Sequence, residues 1–334
     1  MSAPQLETRP LRIGILGAAR IADDGIVTPA RILGHELAGV AARDRSRAEA
    51  FAAARRITQV YDSYADLVAD PEIDVVYNAL INSEHTRWNI AALEAGRHVL
   101  SEKPMSVTAK EARLVERAAA TAQGQIVEGF HYLHHPVNMA LRDLVHSGWL
   151  GEVQRVELVL TTQAPPTTDP RWSAELLGGA TMDLGCYVLN AARQVARWLG
   201  QPVHATSAQA TFRSPGVDSA AQAELTIGDA ISCSATWDMD APQRVMTWTV
   251  IASNGRATSP AFAVPHQDNR LIVESRGTTS EQTYGDQTSY TYQLANLART
   301  LNTGEPFIVD LADAIANAEL IDKVRDQAGL ATPG

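Results

Sequence analysis

Hydrophobic positions change their period midway along the chain. Over the first 130 residues, short apolar runs alternate with segments of helical spacing. Leu11–Leu16 is an apolar run that stops at Gly17, and a helix is expected to follow it. Further strands are expected at Glu36–Ala42, at Asp74–Ala79 after the Asp70-Pro71 break, at His98–Ser101 and at Gln125–Phe130. Between them, Ser46-Arg47-Ala48-Glu49 reads as a capping box opening a helix through Ala54. Thr108-Ala109-Lys110-Glu111 reads as another, opening a helix to about Ala122. His85–Ala95 has helical spacing and ends at Gly96. Strand and helix in regular alternation predict a doubly wound parallel sheet, an α/β Rossmann arrangement.

Further on, the period becomes two. Ala221, Ala223, Leu225 and Ile227 alternate with Gln222, Glu224 and Thr226. The segments Ile231–Trp237 and Met246–Val250 repeat the pattern. Such alternation marks an antiparallel sheet with one covered and one more polar face. Helical stretches are expected at Thr181–Leu199, Ser289–Leu301 and Leu311–Gly329. The chain is thus divided at residue 130: an α/β dinucleotide-binding unit over 1–130 and an α+β unit with a large, open, mostly antiparallel sheet over 131–334. The last helices are free to pack back on the first unit. The sheet face bearing Trp237 and Trp248 suits either an oligomer interface or the unit's own helices.

Composition narrows the class. The 334 residues are 45% hydrophobic and 20% charged, enough for two ordinary cores. A net charge of −10 carries no footprint of nucleic-acid binding. No run approaches the ~20 apolar residues that cross a bilayer. The start, MSAPQLETRPLRIGILG, lacks the basic, apolar and small-residue regions of a secretion signal, so a cytoplasmic protein is expected. Cys186 and Cys233 form no CxxC pair and are expected as free, partly buried thiols.

The first strand–helix turn reads Gly17-Ala18-Ala19-Arg20-Ile21-Ala22. Gly17 makes the tight turn, and small residues at 19 and 22 stand where a dinucleotide fingerprint has its later glycines, letting backbone N–H groups approach a pyrophosphate. The second strand ends in Ala41-Ala42-Arg43-Asp44 without an acid at its tip. Arg43 suits the 2′-phosphate of NADP(H), which is favoured over NAD(H). The alternative leaves Arg43 in solvent and turns Asp44 back to a ribose hydroxyl.

In their order, the stretches GILGAARIA (14–22), Asn82–His85, Glu102-Lys103-Pro104 and GGATMDLGCY (178–187) resemble the glucose–fructose oxidoreductase/inositol dehydrogenase (Gfo/Idh/MocA) family. Val40–Phe51 is similar to its dimeric dihydrodiol/D-xylose dehydrogenase branch. The resemblance implies a Rossmann domain, a sheet domain behind it, and an interdomain site where hydride passes between nicotinamide and a C–OH or C=O carbon of an aldose, cyclic polyol or dihydrodiol. A homodimer or homotetramer through the second sheet is implied too. The cofactor-side residues are Gly17, Ala18, Ala19, Arg20, Ile21, Arg43, Asn82, His85, Glu102 and Lys103.

Lys103 follows a buried strand at the sheet's carboxyl edge, where ligands bind in open α/β sheets. Asp183 and Tyr187 are four residues apart and share a helix face, which Asn190 and Gln194 continue. Lys103 is expected to polarise the reacting oxygen, Tyr187 to exchange the proton with its pKa lowered by Lys103, and Asp183 to position substrate or the Lys103 ammonium. His131, His134 and His135 form a tight group without ligand partners at metal spacing, so no metal is expected. His131 and His135, with Arg171 and Trp172, are candidates to contact substrate. Where the nearest branches carry Arg and an aromatic, this chain has Leu133 and His134. Two other readings use the same fold: a dinucleotide-holding sugar sensor without redox turnover, and a glycosidase with tightly held NAD.

Overall fold

The computed structural model describes residues 9–330. Residues 1–8 of the stretch read for a secretion signal lie outside the described residues. The amino-terminal sheet comprises β1 (Arg12–Leu16), β2 (Glu36–Ala41), β3 (Gln59–Val60), β4 (Val75–Asn78), β5 (His98–Ser101) and β6 (Ile126–Glu128). Their order is β3-β2-β1-β4-β5-β6, with every pairing parallel. Helices α1 (Thr28–Leu33), α2 (Arg45–Arg55), α3 (Tyr64–Ala69), α4 (Asn82–Glu94) and α5 (Ala109–Ala119) connect them. Covered on both faces, the central strands need continuous apolar runs, and Ile13, Ile15, Val75 and Val76 are fully buried. Each such side chain contributes about 1.5–3 kcal/mol.

Two elements of this half carried no periodic signal. The edge strand β3 is two residues long, and α3 has only six. One cap also moved. Thr108 caps α5 as read, accepting from the Glu111 N–H, but α2 starts one residue beyond Asp44, whose carboxylate accepts from the Arg47 N–H. The Ser46 hydroxyl donates to Asp44 instead of capping. Extended backbone at Asp44 and its strongly accepting carboxylate outcompete the hydroxyl two residues on.

The second half begins with α6 (Pro136–His146) and β7 (Val153–Thr161), followed by α7 (Cys186–Trp198), which a π-helical turn at Thr181–Gly185 precedes. Strands β8 (Val203–Ser214), β9 (Val217–Ile227), β10 (Ile231–Asp238), β11 (Val245–Ala252), β12 (Gly255–Ser259), β13 (Arg270–Ser275) and β14 (Thr278–Thr283) follow, then α8 (Ser289–Thr303) and α9 (Leu311–Gln327). The eight-stranded sheet is ordered β14-β13-β12-β11-β7-β10-β9-β8 and is antiparallel apart from the β7–β10 pair.

Of the two readings of the tryptophan face, packing on the chain's own helix is the observed one. Trp237 and Trp248 are fully buried, and Trp198 of α7 stacks on Trp248 with centroids 5.1 Å apart. Gly185 permits this approach, since a Cβ there would lie 2.8 Å from the Trp237 ring. The opposite face, including Glu157, Val159, Thr236, Thr247 and Ile251, is partly exposed. Helix α9 returns to the first sheet. Asp322 accepts from the Ala109 N–H at 2.8 Å, Glu319 pairs with Arg113, and Ala314, Ile315 and Ala318 join the core that α4 and α5 cover. Both cysteines are free and buried.

Candidate active site

A cleft of about 520 Å³ opens beside the carboxyl ends of the parallel strands. Gly17 turns the chain out of β1 with φ of +96°, and a Cβ there would meet the Ala79 carbonyl oxygen at 3.2 Å. This positive φ strains any other residue. Ala19, Arg20 and Ile21 then line the cleft. Among the described residues, no backbone or side-chain acceptor takes the N–H groups of Ala18, Ala19 or Arg20. Unpaired N–H groups where a helix begins suit a pyrophosphate, so the residues present fit the dinucleotide that the sequence implies.

At the tip of β2, Arg43 is exposed and its guanidinium forms no ion pair among the described residues; its N–H donates to the Tyr64 hydroxyl at 3.0 Å. The Asp44 carboxylate is committed to the start of α2. It accepts from Ser46 at 2.7 Å and from Arg47 at 3.2 Å, and these bonds hold its pKa below the usual range. Arg47, one helical turn on, reaches the Ala18 carbonyl at 3.4 Å.

Asn82 and His85 line the same cleft from the start of α4. Asn82 donates to the Leu177 carbonyl at 3.0 Å, bridging the two halves of the chain. The His85 ring nitrogens lie 2.7 Å from the Pro104 carbonyl and 2.9 Å from that of Leu80, so this ring joins the loops after β4 and β5. Glu102 is buried, accepts from the Tyr77 hydroxyl at 2.6 Å, and has its pKa raised by burial. It orients the loop that carries Lys103.

Lys103 and the π-helical turn before α7 meet across the cleft. The Lys103 ammonium donates to Asp183 Oδ1 at 3.0 Å and to the Asp183 carbonyl at 2.9 Å. Arg171 donates to the other oxygen, Oδ2, at 3.2 Å, and also pairs with Asp169 at 2.9 Å. Burial favours neutral forms here, yet the opposed charges prevail: Lys103 titrates above its ordinary value and Asp183 below its own. An ammonium has three N–H groups, so two spent on Asp183 leave one for a ligand.

Tyr187 stands below, with Nζ of Lys103 4.9 Å from its ring centroid. The expectation that Lys103 lowers its pKa is not met. Burial, with Tyr290 and Glu102 nearby, pushes the phenol well above 10. The positive end of Lys103 is already neutralised by Asp183, and the phenolate has no compensating charge. Tyr187 is therefore a neutral phenol at rest. Its hydroxyl lies 2.9 Å from Nε2 of His131, whose Nδ1 is 2.8 Å from the Ser289 hydroxyl.

Other candidates fall elsewhere. Arg171 lines the cleft but Trp172 does not; its indole N–H donates to the Pro165 carbonyl and Arg213 covers its ring at 4.2 Å. His135 is buried against Tyr292, and Leu133 and His134 are buried outside the cleft lining. Asn190 and Gln194 face Asp313, not the cleft. Tyr290 and Val264 do line the site, contributed from positions more than 70 residues beyond Tyr187 that carried no signal in the sequence. A larger hollow of about 680 Å³ lies between α7, β8 and α9, away from Lys103, and its Arg193 and Arg197 are already paired with Asp313 and Asp310. Among the described residues, no group of three or more His, Cys, Asp or Glu is placed to hold a metal.

A parallel nucleotide-type sheet, an open antiparallel sheet and a cleft lined by Lys103, Asp183 and Tyr187 are the arrangement that the sequence resemblance implies for a nicotinamide-dependent oxidoreductase. Residues 11–130 match the model of the oxidoreductase family with an NAD-binding Rossmann fold, and residues 138–258 match the GFO/IDH/MocA C-terminal domain. The chain belongs to the GFO/IDH/MocA family. It is 32% identical to D-xylose 1-dehydrogenase (NADP(+)) 2 of Haloferax volcanii, over 95% of this chain and 97% of that one. It is 28% identical to trans-1,2-dihydrobenzene-1,2-diol dehydrogenase of Xenopus laevis, over 96% and 98%. The crystal structure of KijD10, a 3-ketoreductase from Actinomadura kijaniata in complex with NADP and TDP-benzene, superposes with a TM-score of 0.86 at 25% identity, covering 96% of this chain and 98% of that one.

Proposed function

We propose that the chain is an NADP-dependent oxidoreductase acting on a C–OH or C=O carbon of an aldose, a related cyclic polyol or a dihydrodiol. The convergence of the Lys103 ammonium and the Tyr187 phenol on one wall of the cleft carries this reading. The dinucleotide, when bound, supplies the acceptor or donor of hydride. Gly17, Ala18, Ala19, Arg20 and Ile21 would hold its pyrophosphate, and Asn82, His85, Glu102 and Lys103 the nicotinamide side. The remaining N–H of Lys103 polarises the substrate oxygen, and Asp183 fixes that ammonium. Tyr187 exchanges the substrate proton at its hydroxyl. Arg171 is spent on Asp169 and Asp183, so it serves to hold the Asp183 carboxylate in place beside Lys103.

Preference for NADP over NAD rests on Arg43 and Arg47. Arg43 is exposed at the end of β2 and Arg47 reaches the Ala18 carbonyl of the glycine turn, while the Asp44 carboxylate is occupied as a helix cap. A 2′-phosphate gains charge-assisted bonds there that a 2′-hydroxyl cannot. The experiment is hydride transfer, followed by nicotinamide absorbance, across aldoses, inositols and dihydrodiols with each cofactor, and in reverse with keto-sugars. At least one substrate is turned over, with kcat/KM at least about 10-fold higher for NADP(H), the worth of about one charge-assisted bond. No turnover with any member, or a preference for NAD(H), overturns the respective part.

We also propose residues 1–130 and 131–334 as the two units, with α9 of the second packed back on the first, and the second pairing through the partly exposed sheet face that carries Val159, Thr247 and Ile251. Light scattering is expected to give twice or four times the 36.0 kDa chain mass. A Val159→Lys, Ile251→Glu double variant is expected to run as a monomer, and an unaltered monomeric chain refutes the interface.

A further inference from the structure

We propose that His131 is the internal proton partner of Tyr187: the phenol donates its hydrogen to Nε2 of a neutral imidazole, whose tautomer is set by Nδ1–H donating to Ser289. This deepens the oxidoreductase reading and rests on it. The distances, 2.9 and 2.8 Å, are those of two good hydrogen bonds, and all three side chains are buried. The imidazole is clamped as well as bonded, stacking on Tyr290 with centroids 3.8 Å apart. Among the described residues, the hydrogen bonds to Tyr187 and Ser289 are made by His131 and not by its sequence neighbours; His134 lies against Phe307 and His135 against Tyr292.

A hydroxyl that donates inward presents its lone pairs outward. Tyr187 is thereby set to accept the hydrogen of a substrate alcohol in the cleft. In oxidation, the substrate C–H bond breaks and its electron pair leaves with the hydride to the nicotinamide. The substrate O–H proton passes to the Tyr187 oxygen, the Tyr187 proton passes to Nε2 of His131, and the substrate oxygen forms its carbonyl. The imidazolium so formed donates through Nδ1 to Ser289. Reduction runs the same transfers backwards. His131 gains one positive charge in this transfer, which would balance the charge that a bound oxidised nicotinamide would give up on taking hydride. The groups facing this pair are Lys103, Glu102, Asp183 and Cys186, with Tyr290 on the ring face and His134, His135 and His266 beyond. Burial first, and then Lys103, keep the resting imidazole neutral, which is the form a proton acceptor needs.

Two measurements test this on the full chain. The first is the spectrum of protein carrying ¹⁵N in its histidines. His131 is expected as a single neutral, Nδ1-protonated tautomer between about pH 5.5 and 8.5. Its Nε2 resonance should move in Tyr187→Phe, and both tautomers should appear in Ser289→Ala. The second is kinetic. His131→Phe keeps the stacking but has no nitrogens, and should lower kcat on the order of 100-fold with little change in KM. His131→Ala should be partly rescued by imidazole in the buffer, which a purely structural role does not produce. Titration of His131 near 6.5, or a His131→Phe enzyme within twofold of the parent, overturns the proposal. Absence of hydride transfer in the unaltered protein overturns the oxidoreductase reading and the transfer role with it. The spectrum tells this apart from failure of the hydrogen-bonded chain, because it reads the Tyr187–His131 bond without turnover.

Discussion

Replacing Lys103 with methionine leaves a folded protein that binds NADP(H) and transfers hydride about 1000-fold more slowly, the usual cost of removing a preorganised donor from a developing oxyanion. Methionine matches the length of the lysine stem, so the cleft keeps its shape. What disappears is the one N–H that Asp183 leaves free, together with the positive charge beside the reacting oxygen. Asp183 is not stranded, because Arg171 still donates to its Oδ2 at 3.2 Å. The loss should therefore appear mainly in kcat, with the melting temperature shifted by a few degrees. Single-turnover absorbance at saturating substrate measures it, and a thermal melt checks folding. A Lys103→Met enzyme retaining more than about a tenth of the parent rate contradicts the assigned role. The double variant with Tyr187→Phe should fall little further, since the two groups act on one oxygen and their losses do not add.

Acid destabilises this fold well before its exposed carboxylates are titrated. Burial holds His134 at about 3 and His135 at about 4, and it lowers His131 and His85 as well. In the unfolded chain all four titrate near 6.5. Between about pH 6.5 and 4 the unfolded state therefore binds more protons at these sites, and stability falls as pH falls. Glu128 and Glu102 act in the opposite sense. Burial raises Glu128 to about 8 and raises Glu102, so each binds a proton in the folded state that the unfolded chain has lost above about pH 4.5. Their contribution is present in acid and lost as pH rises. His134 and His135 against Glu128 leave a balance of about one proton, or roughly 1.4 kcal/mol per pH unit at its steepest, with His131 and His85 adding to it and Glu102 opposing it. Denaturant unfolding at pH steps from 8 to 4.5 should show the midpoint dropping steeply below about pH 6.5 with an unchanged slope against denaturant. A profile flat to pH 5 contradicts the buried, neutral state of these histidines. Replacing His134 with leucine should make the profile shallower by about one proton.

Much of the first sheet was legible because a strand covered on both faces has to be apolar throughout. Leu11–Leu16, His98–Ser101 and the segment around Val75 announce themselves in that way, and Thr108 announces a helix start by its spacing to Glu111. The edge strand β3 and helix α3 were not legible, since two or six residues carry too little periodicity. Several strands of the second sheet were also missed. In β8, mostly exposed, polar residues fall on both faces and the alternation is lost. The Ser46 cap was misread because the competition between a serine and a nearby aspartate is decided by backbone conformation at one residue.

The sequence by itself determined the chemistry on offer: a glycine turn after the first strand, a lysine at the carboxyl end of another, and an aspartate and a tyrosine four apart. These are local features, set by residue type and spacing, and a single chain segment displays them. Which charges meet, and in what state they rest, is a property of burial and of neighbours brought from distant segments. Only the tertiary structure joined Asp183 to the Lys103 ammonium, one of the two partners the sequence offered it, closed Tyr187 with Tyr290 from α8, and buried the phenol so that it stays protonated. Only it singled out His131 from three similar histidines, because Ser289 lies 158 residues away in sequence and 2.8 Å away in space.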